Sequence, residues 1–223
     1  VHVVGAGVMG GDIAAWCALK GLEVTLQDRE MRFIEPALVR AAKLFDRRLR
    51  KPAAIDAAVA RLRADPEGAG AATADLVIEA VFEDLKVKRA VYERLEGNLR
   101  PGVVIATNTS SIPLEELAGC LREPGRLIGM HFFNPVSKLP LVEIIAATGS
   151  RTDALSTGTA FARRIGKLPL LCRSHPGFLV NRVLSPYLME AMLMLDEGVP
   201  GETIDAAAKD FGMPMGPIEL ADM

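Results

Sequence analysis

Short apolar runs alternate along most of this chain with stretches of helical period. Residues 1–4, Val-His-Val-Val, read as a buried strand, and residues 11–21 as a helix of small and apolar residues stopped by Gly21. A second strand is expected over 22–26. The pattern over 33–45 is helical, with its regular part starting near Pro36 rather than at Met31, because proline lacks the amide that a helix interior uses. Pro52 opens an alanine-rich helical piece through Leu62, and 65–73 read as loop, broken by Pro66, Gly68 and Gly70. Further strands are expected at 74–81, 103–107, 126–130, 141–145 and 168–172, with helices running to about Leu99 and over 153–165. This alternation predicts an α/β fold with a doubly wound, mostly parallel sheet.

The texture changes at His175-Pro176-Gly177. No strand pattern follows Cys172; instead helices are expected over 178–195, bent at Pro186, and over 202–211. The expected organisation is one α/β domain over 1–175 and, over 176–223, the N-terminal part of an all-helical second domain that is cut short. Met189, Met192 and Met194 fit a core and helix-pairing surface better than a cofactor box.

Half the residues are hydrophobic, 24% are charged and the net charge is −2, an ordinary globular composition that points to no nucleic-acid partner. The basic run 47–51 falls in a helical pattern and reads as a solvated face. There is no 18-residue apolar run and no signal peptide, so no membrane span is expected. Cys17, Cys120 and Cys172 are too scattered for a disulfide framework or a zinc site and suggest a reduced, cytoplasmic protein without a metal. The chain starts inside a strand without methionine and stops just after a helix begins, which suggests a piece of a longer polypeptide.

Chemistry enters with Gly5, Gly7 and Gly10, spaced G-x-G-x-x-G around Ala6, Val8 and Met9 and set between the first strand and the first helix. In that context Gly5 supplies a tight turn, Gly7 lets backbone approach a pyrophosphate, and Gly10 lets helix and strand pack closely. The free amides of the first helical turn would face the phosphates. Asp28, 18 residues beyond Gly10 at the end of the next strand, is the candidate acid for the adenosine ribose. Its negative charge favours NAD over NADP, despite Arg29 beside it.

The carboxyl ends of parallel strands form the ligand crevice of such a sheet. Glu83 and Lys88 follow one of these ends; they read either as cofactor or substrate contacts or as paired charges at a helix start. Asn108-Thr109-Ser110-Ser111 ends another strand, and helix capping accounts for one serine more easily than for four consecutive polar residues. His131 follows an apolar strand, and Glu143 lies between Val142 and Ile144 on the next. A carboxylate among apolar groups needs a partner, and imidazole is a natural one for proton exchange with substrate. The spacing alone also admits a core histidine and a solvent-facing glutamate.

The chain resembles the L-3-hydroxyacyl-CoA dehydrogenase family, especially the dehydrogenase portion of bifunctional fatty-acid oxidation enzymes. The resemblance is carried by VVGAGVMGGDIA from Val3, DLVIEAVFEDLKVK from Asp75, NTSSIPLEELA from Asn108, HFFNPVSKLPLVEII from His131, PGFLVNRVLSPYLMEA from Pro176 and FGMPMGPIELAD from Phe211. It implies a Rossmann-like domain followed by a helical one, and NAD-dependent oxidation of an L-3-hydroxyacyl-CoA to the 3-ketoacyl-CoA. By motif, it implies His131 as catalytic base, Glu143 as its orienting carboxylate, and Ser110 and Asn181 as groups on the substrate oxygen. It also implies Gly5, Gly7, Val8, Met9, Gly10, Asp28, Glu83, Lys88 and Asn108 as cofactor-binding. As partners it implies an enoyl-CoA hydratase domain in the same polypeptide and a further copy or a thiolase. A free-standing short-chain 3-hydroxybutyryl-CoA dehydrogenase, or a fragment that binds NAD without efficient turnover, is the alternative. Two local departures, Leu139 in place of methionine and Ser174-His175 where an acid is common, remove no reacting group.

Overall fold

A computed structural model describes residues 1–222 and divides the chain into two compact units, Val1–Pro176 and the residues from Gly177 onward. The first unit is an eight-stranded sheet. Its strands are β1 (His2–Val4), β2 (Val24–Gln27), β3 (Leu62–Ala64), β4 (Leu76–Glu79), β5 (Val104–Thr107), β6 (Leu127–Phe132), β7 (Leu141–Ala146) and β8 (Leu168–Arg173). Their order across the sheet is β3-β2-β1-β4-β5-β6-β7-β8, so the direction of winding reverses at β1. The crevice of an open sheet lies at such a reversal, beyond the carboxyl ends of the strands.

All neighbouring strands are parallel except β6 and β7, which are antiparallel. The reason is the length of the connection. Residues 133–140 are too few for a parallel crossover, which needs a dozen or more residues, so the chain must turn back on itself.

Helices α1 (Val8–Leu19), α2 (Met31–Arg48), α3 (Pro52–Arg61), α4 (Leu85–Glu96), α5 (Leu114–Ala118) and α6 (Thr152–Arg164) cover the sheet. The pleat sorts the strand residues between two cores. Val3, Leu26, Ile78 and Ile128 join Ile13, Trp16, Phe45 and Ala162 in one. Val4, Val77, Ile105 and Leu127 join Val91, Tyr92, Leu95 and Leu117 in the other.

Two local expectations are corrected. Helix α2 starts at Met31, with the exposed Pro36 inside it. An interior proline costs about 3 kcal/mol, but α2 buries Ile34, Leu44 and Phe45, each contributing roughly 1.5–3 kcal/mol. The helical piece expected through Leu62 stops at Arg61, and Leu62–Ala64 becomes edge strand β3, paired with Val24, Thr25 and Leu26.

The second unit holds α7 (Val180–Asp196), α8 (Gly201–Phe211) and α9 (Pro217–Ala221). Helix α7 continues through Pro186. The carboxylate of Asp205 on α8 accepts from the Ile218 and Glu219 amides at 2.8 and 3.2 Å and so caps α9. Met189, Met192 and Met194, expected to form a core and helix-pairing surface, are exposed, while Ala191 of α7 is buried. Among the described residues no helix is long and apolar enough to cross a membrane, and no group of three His, Cys, Asp or Glu is placed to hold a metal ion.

Candidate active site

The glycine turn lies between the end of β1 and the start of α1, at the reversal in strand order. Gly5 adopts φ +100°, and a Cβ there would lie 2.5 Å from the Ala80 carbonyl oxygen. A Cβ on Gly10 would fall 1.8 Å from the Gly5 carbonyl oxygen. Packing and backbone conformation therefore require both glycines. Gly7 is different: its φ is −59°, and a Cβ there would meet no protein atom within 4 Å. Nothing within the protein demands a glycine at that point, whereas a phosphate resting on the backbone would. The amides of Val8, Met9 and Gly10 open α1 beside this free space, so the residues present fit a dinucleotide pyrophosphate.

Asp28 closes the turn from the end of β2. Its Oδ2 accepts from the Ala6 amide and its Oδ1 from the Arg29 amide, both at 2.7 Å. A carboxylate has further lone pairs for ribose hydroxyls after these two bonds. The Arg29 guanidinium lies over the Phe33 ring, 4.9 Å from its centroid.

Beyond β4 lies a chain of buried charge. Glu79 and Lys88 are 0% and 1% exposed, and Lys88 Nζ donates to Glu79 Oε1 at 2.7 Å. Glu79 also accepts from the Val81 amide at 2.8 Å, the Tyr92 hydroxyl at 2.9 Å and the Thr107 hydroxyl at 2.8 Å. This many donors offset the large cost of burying a carboxylate. Burial beside Glu79 holds the Tyr92 hydroxyl well above its ordinary pKa, so it stays a donor.

Lys88 Nζ also stands 3.3 Å from Glu83 Oε2. Glu83 Oε1 accepts from the Thr109 hydroxyl at 2.5 Å and from the Ser110 and Ser111 amides at 2.9 and 3.1 Å. Partial burial opposes ionisation of Glu83, but Thr109, Lys88 and the Ser110 amide outweigh it and bring its pKa down to about 2. Lys88 thus lies inside the protein between two carboxylates, not among surface charges. Glu83, through these bonds, organises the polar segment that carries Ser110.

The antiparallel pairing sets His131 on β6 directly opposite Glu143 on β7. His131 Nδ1 and Glu143 Oε2 are 2.8 Å apart, and the two side chains are 8% and 0% exposed. The Phe133 ring meets the imidazole edge to face, with centroids 4.6 Å apart. Asn108 ties this strand end to β4: its amide donates to the Glu79 carbonyl, and its Oδ1 accepts from the Phe132 amide at 2.9 Å.

The structure thus joins His131 with Glu143, Glu83 with Lys88 and Ser110, and Asp28 with the glycine turn. Asn181 belongs to the second unit, in the first turn of α7. Sequence reasoning gave no structural role to Thr107, Thr109 or Tyr92. A signal existed for the first and last of these: Glu79 is the lone charge in the apolar strand β4, and such a carboxylate requires donors on its neighbours.

Known proteins resemble this chain along its length. Residues 1–175 match the NAD binding domain of 3-hydroxyacyl-CoA dehydrogenase, and residues 177–223 match its C-terminal domain. A fatty acid oxidation complex subunit alpha from Psychrobacter cryohalolentis is 41% identical over 225 residues, covering 99% of this chain and 31% of that protein. The chain therefore spans about a third of the length of the curated relatives it matches. The crystal structure of (S)-3-hydroxybutyryl-CoA dehydrogenase PaaH1 from Ralstonia eutropha superposes with a TM-score of 0.95 at 36% identity, over 100% of this chain and 81% of that one. That of 3-hydroxybutyryl-CoA dehydrogenase from Escherichia coli K12 does so with 0.94 at 36%, over 99% and 48%.

These matches correct the expected partner. Both matched segments of this chain are dehydrogenase, and the Ralstonia enzyme is matched over most of its length, so the chain holds no hydratase domain. The chain belongs to the 3-hydroxyacyl-CoA dehydrogenase family, with residues 1–175 as its NAD-binding domain.

Proposed function

We propose that this protein catalyses NAD-linked oxidation of a short-chain L-3-hydroxyacyl-CoA, of the 3-hydroxybutyryl-CoA class, to the 3-ketoacyl-CoA. The observation that carries this reading is the His131–Glu143 pair, held 2.8 Å apart near the carboxyl end of β6. NAD, when bound, supplies the acceptor for the hydride leaving C3. With Nδ1–H donated to Glu143, the imidazole presents Nε2 as the base that takes the proton of the 3-hydroxyl group. Glu143 stabilises the imidazolium so formed. Ser110, fixed by Glu83, holds the substrate oxygen, and Asn181 keeps the substrate-binding role that its motif implies. Gly5, Gly7, Val8, Met9 and Gly10 receive the pyrophosphate and Asp28 the ribose. Glu83, Lys88 and Asn108 shape the nicotinamide end of the crevice.

The short-chain reading draws on the two 3-hydroxybutyryl-CoA dehydrogenases, which match this chain with TM-scores of 0.95 and 0.94. The test is a series of L-3-hydroxyacyl-CoA substrates of increasing chain length, followed by NADH absorbance, with wild type and His131→Ala. Turnover greatest with the four-carbon substrate and lost in His131→Ala is expected. A rate rising toward long chains refutes the short-chain assignment, and an active His131→Ala variant refutes the mechanism.

A further inference from the structure

Lys167 is a buried cation that the proposed chemistry does not use. It is 4% exposed and immediately precedes β8. Its ammonium donates to the Val136 carbonyl and, at 2.6 Å, to the Leu139 carbonyl. It also lies over the Trp16 ring, 4.5 Å from the centroid. Its partners are thus carbonyl oxygens and an indole face rather than a carboxylate. An ammonium held in this way is costly to bury, and an apolar side chain of similar length would avoid the cost.

The two carbonyls belong to the connection 133–140 that joins His131 to Glu143. The same connection is gripped a third time, where Arg48 Nη2 of α2 donates to the Ser137 carbonyl at 2.7 Å. The backbone continues the clamp: the Leu168 amide donates to the Pro140 carbonyl at 2.8 Å, and β8 then pairs with β7, setting Leu170 beside Glu143. Sliding one strand past the other by a residue would turn Glu143 to the opposite face.

We propose that Lys167, assisted by Arg48, is a positioning residue that clamps the β6–β7 connection and thereby holds Glu143 in register with His131. This rests on the reading of that pair as the proton-handling centre. The charged and titratable groups around Lys167 are Cys17 on α1, Lys20 directly after that helix, and Arg48 at the end of α2. Burial pushes the Cys17 thiol up to about 12, so it stays neutral. Burial, with the positive charges of Lys20 and Arg48, brings Lys167 down to about 8. The clamp therefore loses its charge in a range where activity can be measured.

The experiment compares wild type, Lys167→Met, Lys167→Arg and His131→Ala in 3-hydroxybutyryl-CoA oxidation across pH, with NAD affinity measured by direct titration. Lys167→Met is expected to lower kcat on the order of tenfold to hundredfold, as displacement of reacting groups does, while NAD affinity stays at the wild-type value. Wild-type kcat is expected to fall as pH rises through about 8, and Lys167→Arg, charged throughout, to keep most of the activity without that fall. An inactive His131→Ala variant alongside a fully active Lys167→Met overturns the clamp alone. An active His131→Ala variant overturns the proton-handling centre and the clamp with it. If Lys167→Met does not fold, the pH profiles still decide: the same alkaline fall in wild type and Lys167→Arg, or no fall in wild type, overturns the clamp.

Discussion

Glu143 faces His131 across one rung of an antiparallel ladder, with 2.8 Å between carboxylate and imidazole. Residues directly opposite in such a ladder share a face of the sheet, so the pair needs no loop rearrangement to form. Glu143→Gln keeps the shape and removes the charge that stabilises the imidazolium. Its kcat is expected to fall by about 10² or more, the usual scale for lost acid–base assistance, without weaker NAD binding. Steady-state kinetics and NAD titration on the same preparation check this.

Gly7 and Gly10 separate two reasons for a glycine. A Cβ on Gly10 would collide with the Gly5 backbone, whereas one on Gly7 would meet no protein atom. Gly10→Ala should therefore lower the thermal midpoint as well as NAD affinity. Gly7→Ala should leave the midpoint unchanged and weaken NAD on the order of tenfold or more, because the methyl group occupies space the pyrophosphate needs. Thermal melts with and without NAD distinguish the two variants.

The Glu79–Lys88 pair is fully enclosed, so breaking it from one side should be costly. Lys88→Met leaves a buried carboxylate and is expected to destabilise the protein by about 3–5 kcal/mol. In Glu79→Gln/Lys88→Met both charges are gone, and the loss should be well below the sum of the two single variants. Urea unfolding of the three variants tests the coupling.

Acid should destabilise the fold in two separate windows. His2 is enclosed between Thr25 and Gln27, its ring nitrogens 2.8 and 3.0 Å from their oxygens, and burial lowers its pKa from the ordinary 6.5. Its contribution is complete above that value. As pH falls below 6.5, the unfolded chain takes up a proton that the folded chain resists, and stability declines until the folded pKa is passed. Glu83, with an ordinary value of 4.5 lowered to about 2, contributes above 4.5 and loses that contribution as pH falls toward 2. With 35% of its side chain exposed, its share is reduced by solvent screening. Urea midpoints against pH should lose the upper decline in His2→Gln and the lower one in Glu83→Gln.

The alternation of apolar strands with amphipathic helices, the turn at Gly5 and Gly10, and the acid at the end of β2 were all legible in the chain, because each depends on neighbours within a few residues. The resemblance of its motifs likewise pointed to the family. Local pattern was less reliable where tertiary burial competed with it. Pro36 stands inside α2 because Ile34, Leu44 and Phe45 bury their side chains there, and Leu62–Ala64 became a strand because the edge of β2 offered it hydrogen bonds. The twelve residues between His131 and Glu143 could not by themselves fix a distance. The register of β6 against β7 did so. Lys88 read in the sequence either as a cofactor or substrate contact or as half of a surface charge pair, and α4 carries it against Glu79 inside the protein. Periodicity and turn chemistry act along the chain, so sequence determined the elements and their order. Charge pairing and strand register act across it, and these only the tertiary structure decided.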